Sequence, residues 1–311
     1  MSTGKIGRPK KSISTDPSKF HRIVDTPKHK SSVVEFCNTE PFPMSKYLKT
    51  LKSNRIPAFY IACRKDKVIF WGKVTPKQYS HEYASDTNNH MYLIYDCTNI
   101  YRYYCKRDTF ISITDKESII SLLGEISESS NKIKMVINSF FTDQIEFTIS
   151  NGALKCKYKM CVKCDIEFDK PEKIPKISMY PTKTAKLYCE MSYIDTSECK
   201  KDLNTKFKKK VVENKIQFTP DFVTVYHKKD IGRISESIWK TTKPEDVLPG
   251  SQSIVVNVDK PIEMNYPKSC IVNFLLHIKG KFHIMFYENV IILVFREDNI
   301  IMISELSIDS S

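Results

Sequence analysis

Three closely spaced cysteines are the first residues in the sequence with the chemistry for a site. Cys156, Cys161 and Cys164 have spacings typical of a metal-binding segment, and Cys189 or His227 would supply a fourth ligand for a tetrahedral zinc ion. A strong zinc signature has two close pairs, and this sequence has one. Lysines alternate with apolar residues around the cysteines, which favours an edge strand with the thiols turned inward. The sequence therefore predicts no metal site.

The histidines and glycines argue against catalysis. None of the seven histidines lies beside a recognisable nucleophile or acid motif, although a site assembled in space would leave no such signal. The chain has only eight glycines and neither of the glycine-rich phosphate-binding motifs. We therefore expect a protein that is not an enzyme and that has no cofactor.

The charge of the chain indicates a polyanionic partner. The formal net charge is +13, and residues 1–34 alone contribute +6. Within this segment, Gly7-Arg8-Pro9-Lys10-Lys11 resembles an AT-hook, a motif that places arginine in the narrow minor groove of A/T-rich DNA. Ile6 stands where an AT-hook usually has arginine, so a generic basic tail is the alternative. No apolar run reaches the roughly 18 residues that cross a bilayer, so we expect no membrane association.

Four segments have the apolar periodicity of amphipathic helices. They begin near residues 44, 115, 196 and 267, with spacings of about 71, 81 and 71 residues, which predicts an internal repeat. In the first, Met44, Tyr47, Leu48 and Leu51 form the apolar stripe, and lysines occupy another face. Strands are predicted between the helices at 58–62, 68–74, 91–96, 145–149, 216–218, 223–227, 234–239, 254–258, 283–287, 290–295 and 300–305. The predicted class is α+β, with each half of the chain a doubled unit of helix plus antiparallel sheet.

A group of tyrosines has a second interpretation. Tyr92, Tyr95, Tyr101, Tyr103 and Tyr104 lie among basic residues and could stack on single-stranded nucleic acid. A β-hairpin with tyrosines on both faces is the favoured alternative.

Several stretches resemble DNA sliding clamps of the proliferating cell nuclear antigen type. MSKYLKTLKSNRIPAFYIACRKDKVIFW at 44–71 is similar to the opening helix and hairpin of a clamp, and HEYASD at 81–86 to the approach to a strand. Ile174-Pro175 is similar to the interdomain loop, and VIILVFREDNIIMISELSI at 290–308 to the closing hairpin. The divergent clamp-like proteins of large cytoplasmic DNA viruses resemble this chain most, because they share a leader containing Gly-Arg-Pro.

This resemblance implies a two-domain sliding-clamp fold and a homotrimeric ring around duplex DNA. The expected regions are a basic flexible tail at 1–32, an N-terminal clamp domain at 33–164, a connector at 165–184 and a C-terminal clamp domain at 185–311. The expected DNA contacts are Arg8, Lys10, Lys11, Lys46, Lys49, Lys52, Lys200, Lys201, Lys206, Lys208, Lys209, Lys210 and Lys268. A partner would bind Ile174, Pro175 and Ile177, and the subunit interface would contain Ile145, Phe147, Arg233 and Ile234.

The implied function is that of a DNA polymerase processivity factor, which also tethers replication or repair proteins. The alternatives are a clamp-like viral transcription factor and a monomeric DNA-binding protein. The expected location is intracellular, at viral replication sites in the host cytoplasm or in the nucleus.

Overall fold

A computed structural model describes a little under two thirds of the chain. The described residues are 23–39, 46–48, 50–51, 58–73, 89–114, 117, 119, 126, 130–151, 156–175, 185–193, 211–229, 234–249, 251, 253–265, 274, 278, 280–287, 290–297 and 299–307. The strands within them are β1 (Ser32–Asn38), β2 (Phe59–Cys63), β3 (Lys67–Lys73), β4 (His90–Asp96), β5 (Arg102–Cys105), β6 (Thr109–Ile113), β7 (Ser130–Asn138), β8 (Gln144–Asn151), β9 (Cys156–Phe168), β10 (Leu187–Tyr193), β11 (Val211–Phe218), β12 (Phe222–Lys229), β13 (Ile234–Lys240), β14 (Ser253–Asn257), β15 (Ile262–Asn265), β16 (Gly280–Tyr287), β17 (Val290–Glu297) and β18 (Ile300–Ser307). Short 3₁₀ turns lie at Cys97–Asn99, Pro171–Lys173 and Pro244–Asp246.

The apolar pattern of each strand determines how many of its faces are covered. In β8 only alternate residues, Ile145, Phe147 and Ile149, are buried, because one face of that strand packs on the core. In β17 the whole run from Ile291 to Phe295 is buried, because apolar clusters lie on both sides of the sheet. The larger cluster draws on both halves of the chain, and the smaller one lies on the opposite face of the central strands.

Antiparallel pairing joins the strands into two sheets. One has fourteen strands in the order β14-β10-β16-β17-β18-β4-β3-β2-β6-β9-β8-β7-β1-β5, and the other has four in the order β13-β12-β11-β15. The 13-residue strand β9 spans two regions of the large sheet, since residues 156–163 pair with β8 and residues 164–168 pair with β6. The two halves of the chain meet where β18 pairs with β4.

Among the described residues, seven of the eight pairings within the first nine strands recur in the next nine, and the exception is β6 with β9. In the first half β1 pairs with β5 and β7, β2 with β3 and β6, β3 with β4, β7 with β8 and β8 with β9. Adding nine to each number gives the pairings of the second half. Each half also contains two three-stranded meanders, which in the first half are β2-β3-β4 and β7-β8-β9. The strand before each meander pairs with the first strand of the other meander: β1 pairs with β7, and β6 pairs with β2. The strands therefore repeat between the halves and within each half.

The predicted α+β class, and with it the two-domain sliding-clamp fold of helices packed on sheets, is wrong. Most of the described residues lie in strands and few are helical, so the architecture is mostly antiparallel β-sheet. The α-helical residues are 46–48, 50–51, 117, 119 and 274. Helical spacing weighed too heavily in the prediction because strands of four to nine residues at 32–38, 102–105, 109–113, 130–138 and 187–193 gave no clear alternation.

The structure also moves two predicted boundaries. Residues 23–31 belong to the predicted flexible tail, yet Ile23 bridges Tyr103 and the Val24 amide donates to the Tyr103 carbonyl at 2.8 Å. The connector was expected from residue 165, but β9 continues through Phe168, and the chain leaves the sheet at Asp169, whose φ is 55°. Residues 1–22, which include the AT-hook-like segment, lie outside the described residues.

Candidate assembly edges and nucleic-acid interface

Of the residues expected to contact DNA, the structure places Lys46. Its Nζ lies 4.8 Å from the centroid of the Tyr47 ring and donates to the Tyr47 hydroxyl at 3.2 Å. Tyr47 is fully buried and its ring packs 5.4 Å from that of Phe295, so this helical turn of the first half contacts a strand of the second. Arg8, Lys10, Lys11, Lys49, Lys52, Lys200, Lys201, Lys206, Lys208, Lys209, Lys210 and Lys268 lie outside the described residues.

The expected subunit contacts fall on two strands with different positions. Ile145 and Phe147 were expected on an edge strand, and this placement is wrong: β8 lies between β7 and β9, and both side chains are buried. The strand that contains Ile234, β13, pairs with β12 alone among the described strands and so lies at a sheet edge. The backbone of Ile234 begins this edge strand, and Arg233 lies outside the described residues.

A second open edge lies on β9. Residues 156–162 pair with β8 on one side, and no described strand covers their other side. Ile238, on β13, is 58% exposed, and the Lys159 side chain on β9 is 63% exposed. Unpaired backbone groups along an edge favour pairing with another strand. Among the described strands, β5, β14 and β15 also pair on one side only, and the open edges of β9 and β13 are the pair that occupies equivalent positions to a joint already formed within the chain.

The joint between β4 and β18 shows how this fold closes such edges. Six residues of each strand pair in antiparallel register, from Ile300 opposite Tyr95 to Glu305 opposite His90. Ile303 and Tyr92, which lie opposite each other, are both buried in the smaller cluster. The Tyr92 hydroxyl donates to the Glu305 carboxylate at 3.2 Å. The joint thus combines backbone pairing with an apolar outer face.

The connector is fixed to this outer face by Ile174. The expected partner residue Ile174 is 4% exposed and packs within the smaller apolar cluster, so its side chain is closed to a partner in this conformation. Pro175 is half-buried, and Ile177 lies outside the described residues. Tyr60 is half-buried and its ring stacks 5.8 Å from that of Phe110, so part of the aromatic surface beside the connector reaches solvent.

The cysteines do not share one face of β9. Cys161 is exposed and Cys164 is buried, because residues three apart on a strand point to opposite faces. The expectation of inward thiols is thus wrong for Cys161. Burial raises the pKa of Cys164 to about 12, which keeps this thiol protonated at neutral pH. The described residues contain no group of three or more His, Cys, Asp or Glu residues arranged to hold a metal.

The tyrosine group does not form a stacking platform or a hairpin. Tyr92, Tyr95, Tyr103 and Tyr104 are buried, and β4 and β5 lie in different parts of the sheet. Tyr101 is 42% exposed and lies 5.5 Å from the Nζ of Lys132, measured to the ring centroid. One tyrosine of the five is therefore available to a ligand.

The sequence analysis did not identify a cluster of cations around Cys37 on β1. Lys134 lies directly opposite Cys37, and its Nζ lies 3.3 Å from Nε2 of His29. Lys28, Lys132 and Lys134 all favour the thiolate of Cys37, but burial outweighs them and raises its pKa. The alternation of lysine and apolar residues in NKIKMVIN at 131–138 was the available signal.

The corresponding cluster of the second half contains a carboxylate. Glu190 lies opposite His283, whose Nε2 is 3.3 Å from the carboxylate, and Lys281 pairs with the other carboxylate oxygen at 2.5 Å. The Tyr188 hydroxyl donates to Glu190 at 3.2 Å. Burial raises the pKa of Glu190, but the Lys281 ammonium and the other donors outweigh it and lower that pKa below 4.5.

Comparison with known proteins adds no name to this arrangement. Among the described residues, no helix is long and apolar enough to cross a membrane. No family model and no curated protein sequence matches the chain.

Proposed function

We propose that this protein is a DNA polymerase processivity factor that closes head to tail into a ring around duplex DNA. One observation carries the proposal: β18 of the second half pairs with β4 of the first, whereas among the described residues neither residues 156–162 of the equivalent strand β9 nor the equivalent strand β13 has a partner on that side. A contact between unlike edges of identical chains continues from copy to copy and ends when the ring closes. We propose three copies per ring, by resemblance to sliding clamps.

The strand repeat supplies a register for the missing joint. The β8–β9 hairpin closes with Asn151 opposite Cys156, and the β17–β18 hairpin with Glu297 opposite Ile300, so Lys159 corresponds to Ile303. The β2–β3 hairpin closes with Cys63 opposite Val68, and the β11–β12 hairpin with Phe218 opposite Val223, so Trp71 corresponds to Tyr226. Tyr92 lies opposite Trp71 and Glu236 lies opposite Tyr226, so Glu236 is the counterpart of Tyr92. Because Ile303 lies opposite Tyr92, Lys159 is expected opposite Glu236 of the next copy.

The proposed register has complementary charge. Glu236 is exposed and forms no ion pair with another described residue, and Lys159 bonds only Glu146, at 2.9 Å. Opposite charges directly across an antiparallel pair stabilise it modestly. Backbone hydrogen bonds supply most of the proposed contact, and this charge pair favours one register over its neighbours.

The remaining arguments concern what the ring would bind. A net charge of +13 suits a phosphate backbone held without reading of bases. The half-exposed aromatic surface beside the connector suits an apolar segment of a polymerase or another replication or repair protein. Both are consistent with a tether that performs no reaction itself.

Retention on circular DNA tests the proposal. A ring should remain on a closed circular duplex in high salt and should leave after a single cut, because topology rather than charge holds it. Loss at the same rate before and after the cut would contradict encirclement and favour a monomeric DNA-binding protein. Longer products in primer extension with the partner polymerase are expected, and stimulation of transcription alone would favour the transcription factor.

A further inference from the structure

We propose a separate binding site for single-stranded nucleic acid on the outer face of the first half. Its phosphate-binding part is the basic strip, which we define as Lys28, Lys132 and Lys134, and the exposed ring of Tyr101 receives a base. This site does not depend on ring closure. It would add a second mode of nucleic-acid binding to the proposed encirclement of duplex.

The basic strip is held in place from two directions. Lys132 and Lys134 are two residues apart on β7 and therefore share one face of the sheet. Lys28 belongs to the segment before β1, which Glu35 fixes by accepting from the Lys28 and His29 amides, each at 2.9 Å. Glu35 and Cys37 are two residues apart on β1 and share a face, and Lys134 lies directly opposite Cys37, so the three lysines lie around one point.

The repeat shows that the described residues place no carboxylate at this point. Thr148 and Val294 are equivalent, because each lies three residues before the last paired residue of the first strand of its hairpin. Lys134 lies opposite Thr148 and His283 lies opposite Val294, so these two are equivalent. Cys37 lies opposite Lys134 and Glu190 lies opposite His283, so Cys37 corresponds to Glu190. In the second half the carboxylate of Glu190 neutralises Lys281 and contacts His283, and in the first half a protonated thiol stands in its place. None of the three lysines forms an ion pair with a carboxylate among the described residues, and Glu35 already accepts from its two backbone donors and from Arg102 at 3.4 Å. An external anion would complete the cluster as Glu190 does.

The aromatic neighbours identify the anion as part of a nucleic-acid strand. The Tyr101 ring adjoins Lys132, so a phosphate on the strip would place an attached base near that ring. Strand β7 ends at Asn138, six residues after Lys132, and Phe140 in the turn that follows is 80% exposed. The distance from Lys132 to Asn138 is about 20 Å at the usual rise of a strand, which is the length of a few nucleotides. Cations interleaved with exposed aromatic rings are typical of single-strand binding, where bases stack without sequence preference.

Substitution of Cys37 provides the most specific test. Cys37→Glu supplies the carboxylate that the second half already has, and Cys37→Ser is the matched control without charge. In fluorescence anisotropy with a short oligothymidylate, we expect Cys37→Glu to weaken binding at least about tenfold and Cys37→Ser to retain it. Equal affinities for the two variants would overturn the proposal.

A second pair of variants keeps the test valid if Cys37→Glu does not fold. Lys132→Gln with Lys134→Gln should weaken binding far more than Lys65→Gln with Lys186→Gln, which removes the same charge from exposed positions. The dependence of log affinity on log salt should also lose about 0.7 for each phosphate contact removed. The same loss in both double variants would show diffuse attraction instead of a site, and would overturn the proposal.

The aromatic contact and the ligand class are tested together. Tyr101→Ala should weaken oligothymidylate binding roughly fivefold or more, and Tyr101→Phe should preserve it, because stacking requires the ring and not the hydroxyl. Binding of a short duplex should respond little to either change. An equal loss for duplex, or no loss for the single strand, would overturn the assignment. The same results are expected in a variant unable to close the ring, so failure of this site and failure of the proposed function are distinguishable.

Discussion

The two halves of the chain pair their strands alike but differ in what covers the outer face. In the second half, Glu190 neutralises Lys281 and contacts His283, and the neighbouring residues of the row, Val294 and Ile303, are buried and apolar. In the first half the equivalent row carries Cys37, Lys134 and Lys159. The repeated backbone therefore carries an apolar row in the second half and a basic row in the first, where Lys159 pairs with Glu146 and no described carboxylate forms an ion pair with Lys134.

The halves differ also at their last strands. The edge of β18 is paired with β4, whereas residues 156–162 of β9 have no partner on that side within the described part of the chain. The same strand position is therefore internal in one half and open in the other. This asymmetry is what the proposed ring would remove.

The largest effect is expected from a charge on the open edge of β13. Ile238→Glu places a carboxylate on the exposed edge strand, and pairing with a second copy would bury it beside the new strand. We expect sedimentation velocity to show loss of the assembly and a single species near the chain mass of 36.2 kDa. Leu248→Glu is the control, because Leu248 is 69% exposed but lies outside the strand edges. An unchanged mass for Ile238→Glu would remove β13 from the interface.

Glu35 should matter more to stability than any charged residue on the open faces. Burial raises its pKa, but the backbone donors of Lys28 and His29 and the charge of Arg102 outweigh burial and lower it. Glu35→Ala leaves these donors without their acceptor, and we expect a loss of about 2–4 kcal/mol in the free energy of unfolding. Chemical denaturation measures this loss. Glu146→Ala, which removes an exposed pair, should cost below about 1 kcal/mol, and similar losses for both would contradict the role given to Glu35.

Replacing Glu190 by cysteine, the residue at the equivalent position of the first half, should reduce the free energy of unfolding by less than Glu35→Ala does. Glu190→Cys removes the acceptor of Lys281 and Tyr188, and we expect about 1–2 kcal/mol of destabilisation because both partners retain access to water. Cys37→Ser, the reference substitution at the equivalent position, should change stability less. Denaturation midpoints compare the two, and a greater loss at Cys37 would contradict the assignment of the counter-ion to one half.

The smallest effect concerns acidification of the second half. Burial lowers the pKa of His283 below 6.5, although Glu190 opposes this. The unfolded chain therefore binds a proton at higher pH than the folded chain, and the contribution of His283 to stability falls as the pH drops below about 6.5. We expect His283→Gln to remove up to about 1 kcal/mol of this pH dependence in denaturation between pH 7 and pH 5. An unchanged pH profile would mean that His283 does not titrate differently on folding.

The sequence predicted the strands that alternate clearly or are continuously apolar, and it predicted the repetition. It failed for β1, which is buried along its whole length, and for β10, where tyrosines and Glu190 obscure the alternate burial of Leu187, Cys189 and Met191. It failed also for the class, because the i, i+3, i+4 spacing suggested more helix than the described residues contain. The edge position of β13 was predictable from its mixed polar sequence. The internal position of β8 was not predictable, because it depends on pairing with both β7 and β9 and no local pattern shows that pairing. No local signal could identify Cys37 as the counterpart of Glu190, because that correspondence exists only through the register of four strands.

The mass of the unmodified chain in solution at micromolar concentration tests the central claim most directly. A closed ring of three copies should give about 109 kDa by light scattering, three times the chain mass of 36.2 kDa, and the value should not rise with concentration because every β9 edge is then paired with a β13 edge. A constant mass of 36.2 kDa, or a mass that grows without limit as filaments form, would contradict the ring.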